Sequence, residues 1–221
     1  MIDFARLREQ MVETQLIPRG IKDVRVLDAM RTIPRHLFVP RVMQQHAYED
    51  RPLPIGKQQT ISQPFIVAYM AEAASVPAEG AGVLELGTGS GYGAAILSCL
   101  AEHVETVEII EEHANHARDV LDAVGIDNVH VHHADGMYGW ESGGPYDAIV
   151  VTAAPIFVPP MLKEQLAVGG RMVIPVGDAR DMKMLLITRS TEGFEERATF
   201  AVRFVPMTGA ISEGNTNGFL G

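Results

Sequence analysis

Val83-Leu84-Glu85-Leu86-Gly87-Thr88-Gly89-Ser90-Gly91 decides the architecture of this chain: an apolar, β-rich run meets a glycine-rich turn that opens a helical segment. A ligand pressed against a strand-to-helix turn needs backbone without Cβ atoms, and Gly87 and Gly89 supply it. The dinucleotide fingerprint G-x-G-x-x-G would require glycine where Tyr92 stands, so a pyrophosphate cofactor is disfavoured. Glu85 argues the same way. A carboxylate there repels a pyrophosphate and suits a ligand with a positively charged amino group, such as the methionine part of S-adenosylmethionine.

Downstream, short β-rich runs at Val104–Ile109, Val129–His132, Ala148–Val151 and Met172–Val176 alternate with helical segments at Gly91–Ala101, Glu111–Val124 and Pro159–Leu166. Such alternation predicts an α/β, doubly wound parallel sheet with helices on both faces. Met184–Arg189 and Ala198–Phe204 are joined by the polar link Ser190–Arg197, which has no room for a crossover helix, so these two runs should be antiparallel. Upstream, Asp3 is placed to cap a helix over Phe4–Leu16, and Ile21–Ile33 repeats the helical spacing. The prolines of Arg51-Pro52-Leu53-Pro54-Ile55-Gly56 predict a loop, and Gln63-Pro64 opens another helix through about Ala74. We expect one domain: 1–75 as helical and substrate-loop region, 76–209 as Rossmann-like core, and 210–221 as a flexible tail.

Two more acidic positions fall at strand ends. Glu108 closes the run after the glycine turn, where a carboxylate can accept hydrogen bonds from ribose hydroxyls. Asp135-Gly136, after the third run, would reach the same crevice and could hold an adenine amino group. Singly, each has a plainer explanation: a tight turn, a solvated strand end, an ordinary turn signal. With Glu85 they form a coherent set at three consecutive strand ends.

Composition narrows the classes further. With 28 acidic against 18 basic residues and no long run of either sign, the chain lacks the character of a protein that binds nucleic acid through its phosphates. One cysteine, Cys99, excludes an internal disulfide and reads as a packing residue. The most apolar stretches, Phe65–Ala71 and Ala94–Leu100, are far short of the roughly 20 residues of a membrane span. The charged N-terminal residues give no secretory pattern, so a cytoplasmic protein without membrane partners is expected. Among the eight histidines, His132 and His133 point to opposite strand faces and His113 and His116 share a helical segment; we expect solvated or packing roles and no metal.

The segment Pro52-Leu53-Pro54-Ile55-Gly56-Lys57-Gln58-Gln59-Thr60-Ile61-Ser62-Gln63-Pro64 closely resembles the signature of protein-L-isoaspartate methyltransferases. Arg19-Gly20-Ile21, Pro34-Arg35-His36-Leu37-Phe38-Val39-Pro40, Tyr146–Ala154, Gly169–Gly177 and Phe204-Val205-Pro206 extend the resemblance from about Leu7 to Gly209. It implies a Rossmann-like S-adenosylmethionine-dependent methyltransferase fold: a mostly parallel seven-stranded sheet, an antiparallel C-terminal hairpin and an N-terminal helical extension. It further implies that Ser62 is the active-site hydroxyl, that Thr88 and Thr152 join Glu85, Gly87, Gly89, Glu108, Asp135 and Gly136 around the cofactor, and that Pro54, Ile55, Thr60, Ser62, Val205 and Pro206 meet an isoaspartyl protein or peptide. Two departures stand out: Gln58, where many bacterial members have glycine, and Ile156-Phe157, where a proline and an acidic residue are common.

The chemistry fits these implied roles. An isoaspartyl α-carboxylate, with a pKa of roughly 3.5, is already an anionic nucleophile at neutral pH, so no general base is required. Ser62 would orient the carboxylate as a hydrogen-bond donor; without the resemblance, Thr60 and Ser62 would read as loop-bonding or helix-capping residues. Three alternatives remain: a methyltransferase of another acceptor, a non-catalytic adaptor that binds cofactor or modified protein, and, least favoured by Tyr92 and Glu85, a nicotinamide oxidoreductase.

Overall fold

The run before Gly87 forms an interior strand of a seven-stranded sheet. The computed structural model describes residues 2–210. In the core, β3 (Gly82–Leu86), β4 (His103–Glu108), β5 (Val129–His133), β6 (Tyr146–Val151), β7 (Leu166–Gly177), β8 (Met182–Ser190) and β9 (Gly193–Ala201) follow a small hairpin of β1 (Leu53–Gly56) and β2 (Gln59–Ile61). Their order is β5-β4-β3-β6-β7-β8-β9, with β3 parallel to both β4 and β6 and the β7-β8-β9 pairs antiparallel. The connection reverses direction at β3, which opens a crevice beyond its C-terminal end.

Period-two alternation sorts the core into two layers. Val83, Ala148, Val150 and Val173 face the layer built from the N-terminal helices α1 (Phe4–Met11) and α2 (Val24–Thr32), with α3 (Pro64–Ala74) and α4 (Tyr92–Ser98). Leu84, Leu86, Ile149, Val151, Met172 and Ile174 face the other, which takes Leu162 of α6 (Pro160–Glu164). All five residues of β3 are buried, as a central parallel strand requires. The remaining helix, α5 (Glu111–Ala123), packs on β4 and β5.

The expected elements form, with three corrections. The proline-rich loop is a β-hairpin: Leu53 pairs with Ile61 and Pro54 with Thr60, because Pro54 sits in an isolated two-stranded ribbon where its missing N–H is tolerated. Its turn holds Lys57 and Gln58 at φ +48° and +60°, the left-handed pair of a two-residue hairpin turn. The polar link over 190–197 is mostly strand; Glu195, Glu196 and Arg197 belong to β9, an edge strand whose charged residues face solvent. Cys99 is exposed at the end of α4, its thiol donating to the Ala95 carbonyl at 3.6 Å, instead of packing inside.

At the N-terminus, Asp3 Oδ1 accepts from the Arg6 N–H at 3.0 Å and caps α1, which continues as a π-turn over Val12–Leu16. Two 3-10 segments, Arg35–Phe38 and Arg41–His46, carry the chain from α2 to the hairpin. Apart from Ala210, the tail expected over 210–221 lies outside the described residues. Among the described residues, no helix is long and apolar enough to cross a membrane.

Candidate active site

The crevice beyond β3 is a cleft walled by the glycine turn, the β2–α3 junction and the segment after β9. Thr60, Ser62, Glu85, Gly87, Thr88, Gly89, Glu108, Gly136, Thr152, Val205 and Pro206 all line it. At its floor Gly87 has φ +93°, and a Cβ there would strike the Thr152 hydroxyl, which donates to the Gly87 carbonyl at 2.6 Å. Glycine is thus required twice over, for conformation and for space.

Glu85 is 1 % exposed, and the Thr106 hydroxyl donates to it at 2.7 Å. Burial pushes its carboxyl up to about 8 from the ordinary 4.5; the Thr106 hydrogen bond opposes this and the Glu108 charge adds to it. Thr88 and Thr106 hydroxyls lie 2.7 Å apart, extending the chain of polar groups from Glu85 to the glycine turn. A buried carboxyl with one side-chain donor suits a cationic group on a ligand. Gly93 in α4 leaves space for this carboxyl, since a Cβ there would collide with Glu85 Oε1.

Glu108 is buried, and each of its oxygens already accepts a backbone N–H: Oε2 from Gly89 at 2.8 Å, Oε1 from Ile110 at 2.9 Å. It therefore fixes the glycine turn and the entry to α5 while still presenting lone pairs to the cleft. Asp135 is different. Gly136 lines the cleft but Asp135 is not among its lining residues; Oδ1 accepts from Met137 N–H at 2.9 Å and Oδ2 from Ala210 N–H at 2.8 Å.

On the opposite wall, Ser62 follows β2 and precedes α3. Its carbonyl accepts from Arg35 Nη2 at 2.7 Å, a partner that local sequence gave no reason to suspect. Pro54 and Ile55 are set back from the cleft in β1, paired to the strand that carries Thr60; Ile55 lines an adjoining groove and reaches to 3.4 Å of the place a Gly89 Cβ would take. The segment after β9 lies across the C-terminal side of β6, where Ala154 N–H donates to the Val205 carbonyl at 2.9 Å and Met207 N–H to the Ala154 carbonyl at 2.8 Å. Arg35, Gly93 and Thr106 were not singled out beforehand for the site. Only Thr106, two residues before Glu108 on the same strand face, had a sequence signal.

No group of three or more His, Cys, Asp or Glu side chains among the described residues could hold a metal ion. His132 stacks on Trp140 at 3.7 Å and pairs with Glu105, and His133 Nε2 lies 3.2 Å from the Ile109 carbonyl.

Residues 6–212 match the family model described as Protein-L-isoaspartate(D-aspartate) O-methyltransferase. A Gloeobacter violaceus protein named protein-L-isoaspartate O-methyltransferase is 54 % identical over 90 % of this chain and 97 % of its own length. A namesake from Geobacter metallireducens is 49 % identical over 96 % and 99 %. Among solved structures, a protein-L-isoaspartate O-methyltransferase superposes with a TM-score of 0.83 at 29 % identity, covering 92 % of this chain and 67 % of that one. The putative enzyme from Plasmodium falciparum, solved with S-adenosyl-L-homocysteine, shares the fold with a TM-score of 0.78 at 23 % identity over 91 % and 98 %. On the family match and these identities together, the chain belongs to the protein-L-isoaspartate(D-aspartate) O-methyltransferase family.

Proposed function

We propose that this chain uses S-adenosylmethionine to methylate the free carboxylate of L-isoaspartyl residues in damaged proteins, opening their repair through a succinimide. One observation carries the reading: the acid-lined crevice at the switch point and the Ser62 loop face each other across one cleft. When bound, the cofactor supplies a methyl group on a sulfonium sulfur. Glu85 would meet its ammonium, Glu108 its ribose and the Gly136 side of the cleft its adenine, with Gly87, Thr88, Gly89 and Thr152 shaping the floor. Asp135 reaches the adenine only if Oδ2 shares or releases the Ala210 N–H.

The remaining residues position the acceptor. Its carboxylate is ionised at neutral pH, so the protein has no proton to remove from it. Ser62 donates a hydrogen bond that orients the carboxylate, with Thr60 and the Val205-Pro206 segment holding the peptide on either side and Pro54 and Ile55 backing the hairpin. Aligned placement of this kind is worth roughly 7–11 kcal/mol against the same reaction in solution. The neighbouring backbone amide nitrogen then attacks the ester carbonyl, methanol leaves, and the succinimide forms without further help from the protein. Residues 1–221 act as one domain, in the cytoplasm, on protein or peptide substrates and without metal, nucleic acid or membrane.

Transfer of radiolabelled methyl to a synthetic isoaspartyl peptide, beside the same peptide with normal aspartate, tests the reading. Label on the isoaspartyl peptide alone is the expected result; label on neither, with cofactor bound, would point to another acceptor or an adaptor. Ser62→Ala should lower kcat about 10- to 100-fold, the equivalent of one hydrogen bond to a charged group, while the cofactor Kd stays unchanged. Equal turnover in the variant removes Ser62 from the mechanism.

A further inference from the structure

Arg35 is 0 % exposed, an unusual position for a guanidinium. Its Nε donates to the Ala47 carbonyl at 2.7 Å and its Nη2 to the Ser62 carbonyl at 2.7 Å. The guanidinium carbon lies 4.8 Å from the centre of the Tyr92 ring, and Tyr92 is the first residue of α4, directly after the glycine turn. No carboxylate among the described residues forms an ion pair with Arg35; the nearby Asp50 pairs with Arg19 instead, at 2.6 Å. Burial lowers the Arg35 pKa to about 10, which leaves it charged at neutral pH.

A buried cation without a counter-ion is costly, and an apolar side chain of similar volume would pack the same space more favourably. What an apolar side chain lacks is the planar fork that reaches two carbonyls while resting on a ring. One of those carbonyls belongs to Ser62, and the ring belongs to the helix that opens on the cofactor side of the cleft. The next residue is held from the same side: Gln63 Nε2 donates to the Asp50 carbonyl at 3.1 Å. The segment between α2 and β1 thus grips the Ser62–Gln63 junction at two successive residues.

We infer that Arg35 is a positioning residue, which fixes the Ser62 hydroxyl relative to α4 and so sets the alignment of the acceptor carboxylate with the methyl donor. This rests on the role proposed for Ser62. It assigns the N-terminal extension a part in turnover as well as in covering the core.

A double-mutant cycle tests it, with Arg35→Lys, Ser62→Ala and the double variant assayed on an isoaspartyl peptide. Lysine keeps the charge but cannot span both carbonyls. Arg35→Lys should lower kcat about 10- to 100-fold, the scale of a misplacement near 1 Å, with the peptide KM and the S-adenosylhomocysteine Kd changed less than about twofold. In the Ser62→Ala background the same substitution should lower kcat less than about twofold, because the hydroxyl it positions is gone. Equal losses in both backgrounds, with Ser62→Ala itself impaired, would overturn the inference and leave Ser62 in place. Full turnover in Ser62→Ala would remove the Ser62 role and this one together. Should Arg35→Lys not fold, Arg35→Gln, neutral and able to donate to one carbonyl, is taken through the same cycle and read by the same outcomes.

Discussion

Cofactor binding should release close to one proton per site at pH 7. In the ligand-free protein the Glu85 carboxyl, buried with one hydroxyl donor, is pushed up to about 8, so at pH 7 roughly nine molecules in ten hold it protonated. An ammonium group brought beside it favours the carboxylate, and the proton leaves. The sign follows: a site protonated when free and ionised when bound loses affinity as acid is added. Affinity should rise by up to about tenfold per pH unit from 6 to 8 and level off above, with a cost near 1.4 kcal/mol still in force at pH 7. Calorimetric titration of S-adenosylhomocysteine, which carries the same ammonium, in buffers of differing ionisation enthalpy counts the protons directly. No proton exchanged and a flat Kd from pH 6 to 8.5 would refute the pairing of Glu85 with the ammonium.

Other substitutions probe the same wall. In the ligand-free protein the native state keeps a Glu85 proton that the unfolded chain loses above about 4.5, so this group weakens folding progressively from pH 4.5 to 8. Glu85→Gln should therefore raise unfolding stability by a few kcal/mol at pH 8.5, by roughly the pKa difference, and scarcely at pH 4, as urea melts at both pH values can check. Glu108→Ala removes the acceptor of the Gly89 and Ile110 N–H groups and should weaken S-adenosylhomocysteine binding about 10- to 100-fold; unaltered affinity would place the ribose elsewhere. Gln58→Gly relieves a left-handed residue in the hairpin turn and should raise the urea midpoint by the equivalent of about 0.5–1 kcal/mol.

The core of the fold was legible in the sequence because its inner strands are buried on both faces and read as largely apolar runs: Ala148–Val151 is apolar throughout and Val83–Leu86 is interrupted only by Glu85. The hairpin at Leu53–Ile61 was hidden because Pro54 masks a strand that pairs with only one neighbour. The first half of β9, Gly193 to Arg197, was hidden because an edge strand carries charges that read as a loop. In the site, Glu85, Gly87, Gly89 and Glu108 were legible as local spacing around one turn. Arg35 was named only within a matching segment, since its contacts with Ala47, Ser62 and Tyr92 span 12, 27 and 57 positions and no local rule links them. Gly93 likewise explains itself only once Glu85 is seen beneath α4. The carboxylate of Asp135 was expected in the cleft and is occupied by backbone at both oxygens, one of them from the far end of the described chain.

That last contact bears on biosynthesis. The cleft takes Ser62 from one strand junction, Glu85 and Glu108 from the sheet, and its outer wall from Val205 to Thr208, with Ala210 tied back to Asp135. A polypeptide emerging N-terminus first has both the glycine turn and the serine loop well before that wall exists. Until Val205–Thr208 and Ala210 have been added, one side of the crevice is missing, so the cleft is complete only in a chain that already extends through residue 210.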